Sequence, residues 1–289
     1  MNFSDEERLF AQNLRRFAKQ RLLPEYARWD RGEPYPRERL LELAHLGITG
    51  LRVPEAYGGT AASFVMAGIA AEELARGDYN TTLVLQIAAI SAEIIAGHAT
   101  DSIKEHWLPK MASGEKVVAF GLTEPGAGSD AAALTTTAIR DGDDYVVRGE
   151  KASITFAGLA DACIVFARTG GEGARGIGAL LVPLDSPGVL RTPYASVGER
   201  LTQRGSLHFD NVRVPAENLL GDASGGFYQA MGAFDYNRAI IALACVGAAQ
   251  QSLDETVEYA KRRQTFGKPI AMHQAVSFQI AEHLTLVQG

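Results

Sequence analysis

Two cysteines, Cys163 and Cys245, are all that 289 residues contain. That number builds no disulfide framework, and no CxxC pair is present to hold zinc or exchange electrons. Each cysteine sits in an apolar run, so both read as buried thiols in a reducing compartment. Six histidines are scattered, without an HExxH or a close pair. A metal centre is therefore not expected. Basic charge is not in excess: 28 Lys and Arg face 34 Asp and Glu, a formal net charge of -6. Such a chain has no general electrostatic reason to seek nucleic acid or an anionic membrane. Lys261, Arg262 and Arg263 form a local basic spot that could still meet a phosphate. The start, MNFSDEERLF, is charged and amphipathic, with no signal-peptide core. Residues 239–249, the longest strongly apolar run, are too short to span a bilayer. Cytoplasmic location follows as the default.

What is present is 46% hydrophobic residues, in a length that suits about two domains. The first third reads helical. Ser4 and Glu7 form a capping-box pair, followed by Phe10, Leu14 and Phe17 on one face. Pro24 and the Pro34–Pro36 region interrupt. Further helices are expected over 37–45, 65–75, 81–98 and 101–111. From about Val117 to Leu219 the signals are those of strands. Residues 135–140 and 145–151 flank a DGDD turn, and apolar runs follow at 163–168 and 177–184. After Gly225 helical spacing returns, over 239–262 and 273–288. The last of these carries Val276, Ile280, Leu284 and Val287 on one face, which needs something to pack on.

Four stretches carry candidate chemistry. In AFGLTEPGAGSD, Gly126 and Gly128 can bring backbone amides close to an oxyanion, and Thr123 and Ser129 add hydroxyls. In GEKASITFAGLAD, Lys151 ends a strand and Thr155 stands beside Phe156. In AFDYNR, Asp235 and Arg238 stand at i and i+3 as if opening a helix. In KRRQTFGKPIAMHQ, a helix ends in three cations before a loop. Each has an ordinary structural reading: a tight turn, a strand threonine, an N-cap with a local ion pair, and a basic helix end.

Taken together, in this order, these stretches resemble the acyl-CoA dehydrogenase family. GLTEPGAGSD is similar to its first diagnostic motif, GEKASITFAGLAD to its GxKxWITN strand, AFDYNR to its helix-opening motif and RRQTFGKPIAMHQ to its inter-subunit loop. GLRVPEAYGG and the text before the first motif fit as well. The resemblance runs from near residue 5 to the end. It implies an α+β fold with an all-α N-terminal domain (1–116) and a β-barrel-like middle domain (117–222). A truncated C-terminal helical bundle (223–289) completes it. It implies FAD, an acyl-CoA substrate, an electron-transfer flavoprotein as acceptor and a homotetramer built as a dimer of dimers. Phe120, Leu122, Thr123, Gly128, Ser129, Ser153 and Thr155 would meet the flavin, with Ser129 also touching the CoA. Arg263, Phe266 and Gln274 would reach the FAD of a neighbouring subunit. Asp235, Tyr236, Asn237 and Arg238 would contact the acyl-CoA. The implied reaction is α,β-desaturation, with α-proton removal and β-hydride transfer to the flavin.

The sequence departs from the family in three places. The usual catalytic Glu belongs to a part of the bundle that the chain as given does not include, and the alternative position holds Asn237. No catalytic residue is assigned, although Glu124 and Glu93 are acids within reach of consideration. Ser153 stands where the family has Trp, and Phe156 replaces an Asn and is expected to compensate partly for the lost indole. Three readings follow: a dehydrogenase lacking its last helices, a short subunit of a hetero-oligomer, or a flavin- or acyl-CoA-binding protein without turnover. Substrate chain length is left open.

Overall fold

The computed structural model describes residues 3–33 and 35–288. Met1, Asn2, Pro34 and Gly289, each part of a stretch read above, lie outside the described residues. The elements follow the chain as helices α1 (Asp5–Phe17), α2 (Tyr26–Asp30), α3 (Arg37–His45), α4 (Phe64–Ala75), α5 (Thr82–His98) and α6 (Asp101–Ala112). Strands β1 (Val118–Gly121), β2 (Thr137–Asp141), β3 (Asp144–Ile154), β4 (Ala162–Arg168), β5 (Ile177–Pro183), β6 (Val189–Pro193) and β7 (Gly205–Pro215) come next. Helix α7 (Gly226–Arg262), a short pair β8 (Gln264–Thr265) and β9 (Lys268–Pro269), and helix α8 (Gln274–Gln288) complete it.

Two compact units divide the chain. One gathers residues 27–67 and 83–238; the other gathers residues up to 26, residues 68–82 and those from 239 onward. The first unit contains the seven-stranded sheet, in the order β1-β4-β2-β3-β7-β6, with β5 paired to β4. The DGDD sequence makes the β2–β3 hairpin, Asp141 opposite Asp144, with Gly142 at φ +65. Glycine takes that conformation without a Cβ penalty. Strand β4 runs parallel to β1 and antiparallel to β5. Its continuous apolar run is explained by burial on both faces. Ile164 and Phe166 join Val118, Ile177, Ala179 and Leu181 in one core with Ile90, Ile94, Trp107, Leu108, Met111, Ala230 and Ala233 of the helices. Each large side chain among these contributes roughly 1.5–3 kcal/mol on burial.

The second unit is helical. Ser4 caps α1 as the sequence indicates: Glu7 N donates to Ser4 Oγ at 3.2 Å and Ser4 N donates to Glu7 Oε2 at 2.7 Å. Small residues set its close crossings. A Cβ at Gly247 would stand 2.0 Å from the Glu72 carbonyl oxygen, so only glycine fits there. In α8, Val276, Ile280 and Val287 line an apolar groove with Ala249 and Leu253 of α7. No residue of α8 is buried, and Phe278 and Leu286 are exposed.

Four local expectations need correcting. AFDYNR does not open a helix; it lies within the 37-residue α7, which starts at Gly226 because Ala230 and Ala233 already pack on the core. Asp235 therefore caps nothing. Cys245 is exposed, not buried, because the inward face of α7 is carried by Ala244 and Gly247. Strand β3 runs past Lys151 to Ile154, and Thr155 lies in the turn that follows, not in a strand. Finally, residues 239–249 are not the stretch that bears on a membrane. Tyr79–His98 is long and apolar enough to cross one by length and composition, and most of its apolar window is buried inside the protein.

Candidate cofactor and acyl-thioester site

The first two motifs meet at the end of β1. Residues 122–129 leave the strand and turn back on themselves: Glu124 N donates to the Ala127 carbonyl at 3.0 Å, and Ala127 N donates to the Glu124 carbonyl at 3.2 Å. The tip of that turn is Pro125–Gly126. Lys151 of β3 fixes it from below. Its Nζ donates to the Leu122 carbonyl at 3.1 Å and to Glu124 Oε1 at 2.8 Å. Lys151 is fully buried, so the ammonium needs that carboxylate. Glu124 also accepts from Thr135 N (2.7 Å), Thr135 Oγ1 (2.8 Å) and Thr136 N (2.9 Å). Burial alone would raise this carboxyl. The hydrogen bonds from Lys151, Thr136 and Thr135, with the ammonium charge, instead hold it down at about 2. Beside the pair, burial pushes the Cys163 thiol up to about 12.

One residue further along β3 the ladder breaks. Lys151 pairs with Leu207 and Ile154 with Gly205, so β3 carries one residue more than β7 over this interval. At this bulge Ala152 N turns outward and donates to the Thr123 carbonyl at 2.8 Å. Thr123, Ser153 and Thr155 are thereby gathered on one partly open edge. Their hydroxyls, and that of exposed Ser129, have no protein hydrogen-bond partner among the described residues. A Cβ at Gly126 or Gly128 would meet nothing within 4 Å, and neither glycine has a positive φ. The chain itself therefore places no demand for glycine there. Free hydroxyls beside open glycines are the surroundings that a flavin ring and its phosphates require.

Phe120 connects this edge to the third motif. Its ring lies 4.8 Å from that of Phe166 and 5.3 Å from that of Phe234 on α7. In the next residues of α7, Asp235 Oδ1 accepts from Arg238 Nη1 at 3.1 Å, both side chains being exposed. Tyr236 points to the other side, its ring 4.9 Å from Phe64. Arg52 lies over Phe64 at 4.1 Å and donates from Nε and Nη2 to Glu93 Oε1 at 2.8 and 2.6 Å. Burial, with the Glu93 charge nearby, pushes the Tyr236 phenol up. The Tyr236 hydroxyl and Asn237 Oδ1 are buried without a hydrogen-bond partner among the described residues. The sequence-based reading missed the buried Glu124–Lys151 pair and the half-buried Arg52–Glu93 pair. Glu124 and Lys151 are 27 residues apart, and no local spacing announces that they touch.

Residues 4–115 match the acyl-CoA dehydrogenase N-terminal domain, 119–212 the middle domain and 224–289 the C-terminal domain. The chain belongs to the acyl-CoA dehydrogenase family. It is 38% identical to the probable acyl-CoA dehydrogenase YngJ of Bacillus subtilis (strain 168), over 98% of this chain and 76% of that protein. It is 35% identical to the caffeyl-CoA reductase-Etf complex subunit CarC of Acetobacterium woodii, over 100% of this chain and 77% of that subunit. Among solved structures, a glutaryl-coenzyme A dehydrogenase in complex with glutaryl-CoA superposes with a TM-score of 0.96 at 32% identity, over 100% of this chain and 74% of that one. A glutaryl-CoA dehydrogenase from Mycobacterium smegmatis in complex with FADH2 gives 0.93 at 32%, over 99% and 73%. Members of this oxidoreductase family use a flavin, and some relatives are linked to electron-transferring flavoprotein.

Against the family pattern, Phe156 does not stand in for the missing indole. It is 1% exposed and lines a small internal cavity with Leu40, Thr49, Val84, Ala88 and Met111. Its φ of +64 turns the side chain inward from the end of β3. That conformation is one an Asn tolerates and a Phe adopts only under strain. The fourth motif is a two-residue hairpin with Phe266 (φ +50) and Gly267 (φ +75) at its tip. Phe266 is 95% exposed there. Arg263 precedes the hairpin and Gln274 begins α8.

Proposed function

We propose that this chain holds FAD and the thioester portion of an acyl-CoA for α,β-dehydrogenation. The observation that carries the reading is the junction of Ala152 N with the Thr123 carbonyl, which gathers unengaged hydroxyls beside open glycines. Phe120, Leu122 and Thr123 would line the flavin ring, with the Thr123 hydroxyl available to donate to it. Gly128 and Ser129 approach the phosphates, Ser129 also meeting the CoA. Ser153 and Thr155 would border the ring. When bound, the flavin supplies the acceptor for the β-hydride. The protein's part is to orient the thioester, exclude water and stabilise charge. Asp235, Tyr236, Asn237 and Arg238 lie along the acyl-CoA.

Neither Glu124 nor Glu93 is free to take the α-proton. Glu124 is committed to Lys151 and two backbone amides, and Glu93 to Arg52. Asn237 cannot serve as a base. Among the described residues none is assigned as the base, and a partner subunit that supplies it is the alternative reading. Arg263, Phe266 and Gln274 reach the FAD of a neighbouring subunit in a homotetramer. A bare phenylalanine on a tight hairpin supports that assembly. Electrons pass to an electron-transfer flavoprotein, the substrate belongs to fatty acid metabolism, and the cytoplasm is the site of action. The three-part division at 116 and 222 remains the reading of domain organisation.

Anaerobic titration of the assembled flavin protein with a panel of saturated acyl-CoAs tests the proposal. Binding is expected to perturb the flavin spectrum. Bleaching by one thioester class marks the substrate. An assembled protein that stays colourless and takes up no FAD would sink the reading.

A further inference from the structure

The bulge in β3 frees two successive amides, and only the first is used by the Thr123 loop. The other, Ser153 N, donates to the Tyr194 hydroxyl at 3.2 Å. Ser153 sits at φ +60, an uncommon conformation for a non-glycine residue, and this is what turns its amide out of the ladder. Tyr194 follows directly on β6. It reaches over β7 to β3, and its hydroxyl also bonds Ser206 Oγ at 2.7 Å. Its own amide donates to the Arg204 carbonyl at 2.8 Å. The residue is thus pinned at both ends. It nonetheless remains 40% exposed.

Pinning an aromatic residue at both ends and leaving it open removes the rotamer freedom that would oppose stacking. The ring tip stands one peptide unit from the Thr123 junction, on an edge whose nearest strand residue, Ser153, offers no ring of its own. We infer that Tyr194 is the aromatic wall of the flavin site, supplying the flat apolar contact that position 153 lacks. This inference rests on the cofactor reading above. The hydroxyl contacts position the ring, and the ring makes the contact.

Two variants of the assembled protein separate the contributions. Tyr194→Leu keeps bulk without a ring; Tyr194→Phe keeps the ring without the hydroxyl. The readouts are the dissociation constant for FAD, by equilibrium dialysis, and the fluorescence of bound flavin, which a stacked tyrosine quenches. Leu is expected to weaken FAD binding about tenfold, within reach of one aromatic contact, and to brighten bound flavin. Phe is expected to stay within about threefold of wild type, a small part of one such contact, and to remain quenched. If both variants bind FAD as wild type does, with unchanged fluorescence, the Tyr194 inference is wrong and the cofactor site stands. If Phe weakens binding as much as Leu, Tyr194 only props the bulge, and the inference is again wrong. If wild type takes up no FAD, the cofactor reading falls and this inference with it.

Discussion

Two acid–base pairs in three motifs of one compact unit behave as opposites. Glu124–Lys151 joins the loop after β1 to β3 at 2.8 Å, with both side chains almost wholly excluded from solvent. Asp235–Arg238 spans one turn of α7 at 3.1 Å, with both largely in water. In sequence, Asp235–Arg238 is the more conspicuous pair, being local and correctly spaced for a helix. In the fold, Glu124–Lys151 matters more. A buried charge that loses its partner retains the full cost of its desolvation, whereas an exposed pair exchanges its partner for water.

Breaking the buried pair should therefore have the largest effect. Lys151→Met leaves the Glu124 carboxylate uncompensated and is expected to cost about 3–5 kcal/mol in urea unfolding. Adding Glu124→Gln to it should recover part of that loss, because an amide needs no counter-charge and its one carbonyl oxygen still accepts from one of the two threonine amides. Equal stability of the single and double variants would show that the carboxylate is not held ionised by Lys151.

Acid sharpens the same contrast. The Glu124 pKa is depressed from 4.5 to about 2. The stability it contributes is thus complete above its unfolded value and is lost as pH falls through the folded one. The stability difference between wild type and Glu124→Gln should be constant above about pH 4.5 and shrink towards pH 2. A difference independent of pH across that window would contradict the assignment.

The two thiols offer a third comparison of inside with outside. Cys163 is buried with its pKa pushed to about 12, while Cys245 is exposed. A thiol reagent at neutral pH should titrate one cysteine in the native protein and the other only after unfolding. Rapid reaction of both would mean that β4 opens readily.

The smallest expected effect is that of Asp235→Asn, which removes the exposed pair. Its change in unfolding free energy should stay below about 1 kcal/mol and diminish further with salt. A larger loss would show that Asp235 has a structural partner beyond Arg238.

Much of the fold was legible because periodicity is local. The α3 helix, the capping box at Ser4 and the DGDD hairpin each follow from spacing within a dozen residues. The return to helix after Gly225 was legible, and α7 starts at Gly226; its unbroken run through AFDYNR was not, because the packing of Ala230 and Ala233 on the core sets it. Within the candidate site, the residue types of the first two motifs could be read, but not the way they join. Nothing near Ser153 or Tyr194 in the sequence signals a bulge, an outward amide and a hydroxyl from two strands away. Phe156 shows the opposite failure. Its chemistry suggested a flavin contact, and a backbone angle sent it to the core instead.

The sequence by itself determined the order of helical and strand segments, the family and the residue types available to a flavin and a thioester, since these depend on pattern and local spacing. Only the tertiary structure decided which polar groups are buried together, which hydroxyls are left free and where Phe156 and Tyr194 point. Those outcomes depend on desolvation and on contacts between residues far apart in the chain, which no local pattern encodes.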